Sequence, residues 1–446
     1  MLMLKATPAL LLLAGQAYTY VLSDIQEPIR APYAGLASHD KLSEVISSSP
    51  LLSLHRAICE IESVSNHELP VAKLIISFLE AHNFTVQTQS VPLQDTTTDT
   101  DTTRARWNIY AYPDPLKYGG SESETSHPSP KVLLTSHIDT VPPHIPYSLS
   151  LPGKADNDIL LASRKDILVS GRGTVDDKAC VAVQIQTILD LLADPSTKVH
   201  PSNVALLLVV GEENSGDGMK HFSDSELFQK TNTNYKAVLF GEPTEGKLAT
   251  GHKGVFGLRV NAYGKAAHSG YPWLGRSATS MILPTLLTLD GLGDLPVSEG
   301  GLPRSEKFGK STINVGYIRG GVAGNVVPEF ATADVTFRIA AGEKEEIEQI
   351  VRKAIRATDP EDLLDLKFSL GYGPISLDAD VEGFETITVN YGTDIPNLEL
   401  APEVKRYLYG PGSILVAHGR DEGLTVGDLE EALDGYKRLV HHALKL

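Results

Sequence analysis

Five short segments of the chain contain side chains that can bind a metal ion. They are Ser136–Asp139, Asp176–Lys178, Gly211–Glu213, Gly241–Pro243 and Ala417–Gly419. Together they supply two histidines and several carboxylates, which is the ligand set of a hydrolase that uses two zinc ions. The chemistry that these residue types indicate is therefore metal-dependent hydrolysis.

Three of the segments end or follow apolar runs that have the length of a strand. The runs are Lys131–Ser136 (KVLLTS), Asn203–Val210 (NVALLLVV) and Lys236–Phe240 (KAVLF). Runs without polar alternation are typical of strands buried on both faces of a parallel sheet. Because ligands bind at the carboxyl ends of such strands, His137, Glu212 and Glu242 are predicted to share one site.

Length and composition predict a globular protein with two domains. The 446 residues are 41% hydrophobic and 21% charged, which is enough to bury a large core. The formal net charge of -17 argues against nucleic acid or an anionic membrane as a partner, because both require a basic surface.

The first 17 residues have the features of a signal peptide. Lys5 is an early cation, Ala9–Ala14 is apolar, and cleavage is expected after Ala17. An uncleaved membrane anchor is the alternative, but the apolar run is shorter than the roughly 20 residues that span a bilayer. We therefore expect a secreted protein without a membrane contact after cleavage. In that setting, the sequon at Asn83 becomes a candidate glycosylation site.

The chain has two cysteines, Cys59 and Cys180, which are too few for a disulfide scaffold. A single bridge between them stays open at this point. The favoured interpretation is that both are small core residues.

Two sequence patterns divide the chain. Up to residue 254, helical patterns, strands and loops alternate as in an α/β fold with a mostly parallel sheet. The predicted elements there are helices within residues 41–82, a strand at 84–92, loops at 95–103 and 119–130, and a helix at 179–192. Residues 255–372 form an α+β insert with strands at 255–263, 312–318 and 330–339 and helices at 278–289 and 343–357. Because His418 must join ligands that precede the insert, residues 18–254 and 373–446 are predicted to form one discontinuous catalytic domain.

Spacing within the ligand segments suggests separate roles. At a strand end, His137 and Asp139 point the same way, so Asp139 can accept a hydrogen bond that fixes a metal ligand. A lone His-x-Asp pair is also a common structural feature. The glycines of Gly171–Lys178 lack the spacing of a phosphate-binding loop, whereas Asp176 is a candidate to bridge two zinc ions.

Glu212 and Glu213 form the pair that most strongly suggests catalysis. Adjacent carboxylates after a buried strand repel one another and lose hydration, unless a cation or a shared proton offsets the cost. One can bind metal while the other accepts a proton from water. An exposed acidic turn is the alternative, but the position after an apolar run favours function. Glu242 and His418 can each complete one zinc sphere.

Taken in order, the motifs resemble a known family. They are SHIDTV, GRGTVDDK, GEENSGDG, GEPT, AHSG and GPGSILVAHGRDE, and the match runs from about Leu51 to the C-terminus. The set resembles the zinc metallopeptidases that include glutamate carboxypeptidase, carboxypeptidase S, aminoacylase, acetylornithine deacetylase and succinyl-diaminopimelate desuccinylase. It is most similar in character to exported fungal members described as probable carboxypeptidases.

The resemblance implies a role for each motif residue. The implied zinc ligands, two ions per subunit, are His137, Asp176 as the bridge, Glu213, Glu242 and His418. Glu212 would be the general base, and Asp139 would support His137. His268 would stabilise the substrate oxyanion, in many members from the opposite protomer. The implied substrate-binding residues are Asn325, Arg338, Gly412 and Ser413.

The resemblance also implies the architecture and the reaction. Residues 255–372 would be a lid or dimerisation domain, a homodimer is possible, and the Asp176–Asp177 peptide bond would be cis. The expected reaction is hydrolysis of an amide next to a free carboxylate, in a peptide or an N-acyl amino acid. An N-acyl amino acid deacylase and an aminopeptidase stay open, and a non-catalytic binding protein with the same fold is the remaining alternative.

Overall fold

The computed structural model describes residues 38–93, 105–118, 130–152 and 164–446. The predicted signal peptide, the predicted loop at 95–103 and all but the last residue of the predicted loop at 119–130 lie outside the described residues. The chain divides into two compact units. Unit one comprises Met1–Leu248, Asp380–Glu385 and Asn397–Leu446, and unit two comprises Ala249–Ala379 and Thr386–Pro396. The functional division into a catalytic domain and a lid stays a prediction.

Helices and strands are numbered in chain order over the described residues. The helices are α1 (Ser38–Ser47), α2 (Pro50–Cys59), α3 (Leu69–Ala81), α4 (Lys178–Ala193), α5 (Asp217–Ser223), α6 (Glu226–Thr231), α7 (Ala278–Leu292), α8 (Lys344–Thr358) and α9 (Val426–Ala443). The strands are β1 (Phe84–Ser90), β2 (Trp107–Pro113), β3 (Val132–His137), β4 (Ser148–Ser150), β5 (Leu168–Ser170), β6 (Val204–Val209), β7 (Ala237–Phe240), β8 (Leu248–His252), β9 (Gly254–Tyr263), β10 (Arg304–Ser305), β11 (Gly309–Lys310), β12 (Thr312–Gly320), β13 (Phe330–Ile339), β14 (Leu364–Tyr372), β15 (Ile375–Ser376), β16 (Thr386–Val389), β17 (Lys405–Leu408) and β18 (Gly423–Thr425).

Unit one contains a six-stranded sheet in the order β1-β2-β6-β3-β7-β17. Strands β6, β3, β7 and β17 pair in the parallel sense, while β2 is antiparallel to both β6 and β1. Every residue of β3, β6 and β7 is buried, as their unbroken apolar sequences predict. The predicted α/β class with a mainly parallel sheet is therefore confirmed.

The register of this sheet brings the ends of the parallel strands to one edge. His137 at the end of β3 lies opposite Val209 at the end of β6. Phe240 at the end of β7 lies opposite Thr135 on one side and Leu408 on the other. The segments that follow these strands therefore begin at the same edge, where a parallel sheet normally binds ligands.

Two helices of unit one help to hold that edge. Helix α4 starts at Lys178, directly after the Asp176 segment, and contacts α2, α9, β3 and β6, so that most of its residues are buried. Helix α9 starts with a capping box in which Thr425 and Asp428 satisfy each other's backbone N–H groups. This cap fixes the chain direction seven residues after His418.

Unit two contains a four-stranded antiparallel sheet in the order β12-β13-β9-β14. Residues of β13 alternate between buried and partly exposed positions, so one face is apolar. That face packs against α7 and α8, and α8 buries Ile347, Val351 and Ile355 against it. The other face carries polar pairs such as Arg259 with Asp334. Strand β14 is additional to the strands that the sequence patterns predict.

Three smaller expectations concern single features of the described chain. Cys59 and Cys180 are both free and buried, so the interpretation as core residues is confirmed. Asn83 is exposed at the end of α3, and its glycosylation stays a prediction. Among the described residues, no helix combines the length and apolar character that crossing a membrane requires.

Candidate metal centre

The five predicted metal ligands form two groups that share one residue. His137, Asp176 and Glu242 make the first group, and Asp176, Glu213 and His418 make the second. Within each group, one potential ligand atom from every residue lies within 4.8 Å of the others. We call these the buried group and the half-exposed group, because all three residues of the first are buried whereas the His418 side chain of the second is 52% exposed.

His137 ends strand β3 with both ring nitrogens engaged. Its Nδ1 lies 2.9 Å from the backbone oxygen of Asp139, and its Nε2 lies 3.1 Å from Oδ1 of Asp176. Burial would lower the pKa of His137, but the hydrogen bonds to Asp139 and Asp176 raise it well above its ordinary value. If Nδ1 donates to the Asp139 oxygen, Nε2 is left to face the shared carboxylate and a metal ion.

Asp139 connects His137 to the turn after β6. Its Oδ2 accepts a hydrogen bond from the Ser65 hydroxyl at 2.7 Å. Its two oxygens also accept from the backbone N–H groups of Glu212 at 3.2 Å and Glu213 at 3.3 Å. Burial would raise the pKa of Asp139, but the hydrogen bond with His137 and these other donors lower it. The carboxylate thus fixes the backbone of both glutamates.

Asp176 lies between the two histidines. Its Oδ1 is 3.1 Å from Nε2 of His137, and its Oδ2 is 3.2 Å from Nε2 of His418. Burial would raise its pKa, but the hydrogen bonds to the two histidines hold it below the ordinary value. The Asp176–Asp177 peptide bond is cis, as the resemblance implies. Each oxygen therefore faces a different group, which is the arrangement that a bridging carboxylate needs.

Glu213 and His418 complete the half-exposed group. Nε2 of His418 lies 3.0 Å from Oε2 of Glu213. The hydrogen bonds to Asp176 and Glu213 raise the pKa of His418 to about 10. Burial and the charge of Asp176 raise the pKa of Glu213 to about 7.

Glu212 belongs to neither group, although it lies beside them. Its charge acts on His137 and on Glu242, raising the pKa of both side chains. The side chain is partly exposed. A carboxylate next to metal ligands, and not itself in a ligand group, is suitably placed to accept a proton.

The turn that presents the two glutamates depends on a glycine. Gly211 has a φ of 76°, in the left-handed region, and a Cβ there would collide with Arg106 and Asp217. Arg106 and Asp217 form an ion pair with a 2.6 Å contact directly beneath the turn. Any side chain at position 211 would therefore displace both this ion pair and the turn.

Glu242 follows β7 and is buried. Burial raises the pKa of the Glu242 carboxyl well above its ordinary value, and the negative charges of Glu212 and Asp176 raise it further. The loop of Gly412 and Ser413 lies alongside this segment. The Ser413 hydroxyl donates to Glu245 at 2.9 Å, and the Glu245 N–H donates to the Gly412 oxygen at 2.8 Å.

The donor set fits a pair of divalent cations. Several carboxylates, of which Glu213 and Glu242 have raised pKa values, lie together with two imidazoles. Bound cations would offset the repulsion and the lost hydration of these groups. Imidazole nitrogen and carboxylate oxygen are common protein ligands of zinc.

The predicted substrate residues His268, Asn325 and Arg338 lie in unit two. The segments of His268 and Asn325 are paired, since the Ser269 N–H donates to the Asn325 oxygen at 3.0 Å and His268 forms a bridge with Val326. Both side chains are exposed, whereas Arg338 is partly buried near the end of β13. Their roles in substrate binding stay predictions.

Three residues that support the metal centre have no role assigned by the sequence patterns. Ser65 hydrogen-bonds Asp139, and Arg172 and Glu422 pair with each other beside the Asp176 segment. Glu422 and Arg172 both lie within the motifs quoted above, and a charged residue inside a ligand motif is the signal that could have indicated them. Ser65 carries no comparable signal.

Comparison with known proteins gives the family of this site. Residues 250–363 match the M20 peptidase dimerisation domain. A protein named "Probable carboxypeptidase" from Ajellomyces dermatitidis is 53% identical over 420 residues, covering 92% of this chain and 90% of that protein. The chain belongs to the M20 family of metallopeptidases. It is therefore a hydrolase rather than a non-catalytic protein of the same fold, and the family implies a metal.

Solved structures of M20 type share the fold. A dipeptidase from Saccharomyces cerevisiae has a TM-score of 0.67 at 14% identity, with 96% of this chain and 99% of that chain covered. An M20 family metallo-carboxypeptidase from Sulfolobus solfataricus has a TM-score of 0.59 at 15% identity, with 89% of this chain and all of that chain covered. At these identities, the likeness supports the fold alone.

Proposed function

We propose that this M20 hydrolase is a secreted, zinc-dependent carboxypeptidase that cleaves an amide bond next to a free carboxylate. The observation that carries the proposal is the position of Glu212, which lies beside two metal-ligand groups and belongs to neither. The name of the fungal relatives supports the carboxypeptidase assignment.

The five ligand residues would hold two zinc ions, the buried group one and the half-exposed group the other, with Asp176 shared. Zinc bound in such a site supplies Lewis acidity, which lowers the pKa of water and polarises a carbonyl oxygen.

Glu212 would carry the proton through the reaction. Its carboxylate accepts a proton from the attacking water and later gives that proton to the leaving amine. Asp139 holds the Glu212 N–H at 3.2 Å, so the base is positioned by its backbone. A base oriented in this way presents its carboxylate for proton transfer.

The substrate's free carboxylate would be bound by Arg338 and Asn325. A guanidinium presents two parallel N–H donors that match a carboxylate. His268 would donate to the oxyanion that develops as the amide is attacked. Gly412 and Ser413 would contact the substrate next to the Glu242 segment, where the Glu245 contacts hold their loop.

An N-acyl amino acid deacylase is the second candidate, because the same carboxylate anchor would serve an N-acyl amino acid. Blocked dipeptides and N-acetyl amino acids should be compared on one preparation by kcat/KM. A higher value for the acetyl series would replace the carboxypeptidase proposal with the deacylase. Mass spectrometry of the products from a peptide mixture identifies the end attacked, and release of N-terminal residues would indicate an aminopeptidase.

Two adjacent substitutions test the assignment of the base. Glu212→Gln should retain two equivalents of zinc, while kcat falls by about 10²- to 10⁴-fold because proton transfer is lost. Glu213→Gln is the matched control and should instead lose zinc from the half-exposed group. Zinc content by elemental analysis and kcat separate the two. An active Glu212→Gln protein would show that another group is the base.

Secretion, glycosylation and dimerisation complete the proposal. The predicted signal peptide and the exposed Asn83 support an exported glycoprotein, and the match to a dimerisation domain supports a homodimer. Analysis of the culture medium of a fungal expression host tests secretion. Glycosidase treatment of the parent and of Asn83→Gln tests glycosylation, and light scattering tests dimerisation.

A further inference from the structure

Glu422 is a buried carboxylate that binds the backbone of a metal-ligand segment. It lies four residues after His418, and its side chain is 1% exposed. Its Oε1 accepts hydrogen bonds from the backbone N–H groups of Gly173 at 2.8 Å, Val175 at 3.2 Å and Asp176 at 3.3 Å. One oxygen therefore accepts from three backbone N–H groups of the loop that ends at the bridging aspartate.

Arg172 completes the connection from the opposite direction. Its Nη1 donates to Oε2 of Glu422 at 2.5 Å, and its Nη2 lies 3.4 Å from the backbone oxygen of His418. The Gly171 N–H also donates to the backbone oxygen of Glu422 at 3.0 Å. Side chains and backbone thus join the Asp176 loop to the segment that carries His418.

This connection links two ligands of the same group. The Asp176 N–H binds Glu422 directly, and the Asp176 Oδ2 lies 3.2 Å from Nε2 of His418. His418 has a φ of 64° and a half-exposed side chain, so no strand fixes its position. By contrast, His137 ends β3 and Glu242 closely follows β7, and the central sheet positions both.

The chemistry of the contact makes it sensitive to substitution. Hydrogen bonds to an ionised carboxylate are shorter and stronger than those between neutral groups. An amide at position 422 keeps an oxygen for the three N–H groups, but its NH₂ group would face the Arg172 guanidinium, which is itself only 2% exposed. The buried cation would then lose its partner, which is costly.

We infer that Glu422, through Arg172 and the Asp176 loop, is a positioning residue that sets the distance between Asp176 and His418 and so determines the zinc affinity of the half-exposed group. The inference rests on the proposed function only in that these residues hold zinc. It assigns Glu422 no contact with substrate.

Zinc titration tests the inference without any substrate. Zinc-free parent, Glu422→Gln and Asp421→Asn are each titrated with Zn²⁺ in competition with a chromophoric chelator. In Glu422→Gln, affinity at one of the two sites should fall by about 10- to 100-fold, the usual cost of removing a residue that supports a ligand. Affinity at the other site should stay within about twofold, since the sheet still holds His137 and the Glu242 segment. Asp421→Asn removes a charge from an exposed neighbour and should match the parent.

Three further experiments accompany the titration, and the first of them separates a folding defect from a metal defect. Thermal unfolding of each zinc-free protein shows whether the variant is folded before titration. Arg172→Lys retains the cation but loses the forked donor, and it should weaken the same site by a smaller factor. When Co²⁺ replaces zinc, the visible absorption of only one of the two bound Co²⁺ ions should differ between Glu422→Gln and the parent.

The outcomes distinguish the inference from the proposed function. Unchanged affinity at both sites, or equal weakening of both, in a folded Glu422→Gln protein overturns the positioning role. Selective loss of zinc affinity at one site in Glu422→Gln, together with a parent protein that has no peptidase activity, supports the positioning role and contradicts the proposed function. A parent that binds no zinc contradicts both.

Discussion

The two ligand groups of the metal centre use the same kinds of side chain but are built differently. In the buried group, His137 and Glu242 belong to the ends of neighbouring parallel strands. In the half-exposed group, Glu213 lies in a turn and His418 lies in an irregular segment with a left-handed φ of 64°. One group is positioned by the central sheet, and the other by contacts between loops.

This difference separates two ways of fixing a ligand. A strand end is held by backbone pairing on both sides, so a ligand there needs few extra contacts. A loop ligand needs its own supports, and here these are the Arg172–Glu422 pair and the Asp139 carboxylate. We therefore expect the half-exposed group to lose its metal first under most perturbations.

Metal removal should have the largest effect, and it tests the difference between the buried group and the half-exposed group directly. A chelator should abolish activity in two phases, with the fast phase releasing one equivalent of zinc from the half-exposed group. The stripped protein should also unfold at a lower temperature, because bound metal stabilises the folded state and offsets repulsion among the carboxylates. Stopped-flow chelation and calorimetry measure both effects. Re-addition of zinc is the control, and release of both equivalents at one rate would contradict the distinction.

Asp176→Asn should remove the feature that the two groups have in common. The amide cannot present an anionic oxygen to each group, so both should lose affinity and activity should fall to the level of Glu212→Gln or below. Zinc content and kcat/KM provide the readout. Asp177→Asn alters the buried neighbour that belongs to neither group and should retain two equivalents of zinc. Loss of zinc from only one group in Asp176→Asn would show that this residue is not a bridge.

The two histidines can be compared with each other. His137→Gln should disturb the buried group and, through Asp139, the Glu212 turn, whereas His418→Gln should affect the half-exposed group alone. Each variant should lose one equivalent of zinc, and activity should fall further in His137→Gln. Zinc stoichiometry and kcat measured on both proteins test this order. A larger loss of activity in His418→Gln would reverse the comparison.

The smallest expected effect concerns the support of Asp139. Ser65→Ala removes a 2.7 Å hydrogen bond to a buried carboxylate, which should lower the free energy of unfolding by about 1.5–3 kcal/mol. Ser63→Ala is the matched control, since its buried hydroxyl has no hydrogen-bond partner among the described residues. Denaturant unfolding of the two zinc-loaded variants gives the difference. Equal stability of the two proteins would show that Ser65 contributes nothing to the site.

The strands and the ligand-bearing segments were predictable because their physical cause is local. KVLLTS, NVALLLVV and KAVLF carry no polar alternation, and strands β3, β6 and β7 are buried throughout. Strand β14 was not predicted, although its sequence LDLKFSLGY alternates apolar residues with polar or small ones as a half-buried strand does; its pairing with β9 spans a long sequence separation.

The supports of the site were harder to predict because they depend on contacts across the sequence. Glu422 binds the N–H of Gly173 across 249 positions, and Ser65 binds Asp139 across 74. Neither pairing leaves a periodic pattern in the chain. Residue type together with position after an apolar, strand-length run assigned His137 and Glu242 to the metal centre, whereas the role of Glu422 required the folded loops.

The position of β17 and His418 in the chain has a consequence for biosynthesis. Strand β17 completes the central sheet beside β7, yet 164 positions lie between Phe240 and Lys405, and unit two occupies most of them. During translation, the ribosome therefore makes the predicted ligands His137, Asp176, Glu213 and Glu242 long before His418. A nascent chain cannot assemble the half-exposed group until the last segment of unit one has emerged, so we expect the growing polypeptide to have no peptidase activity.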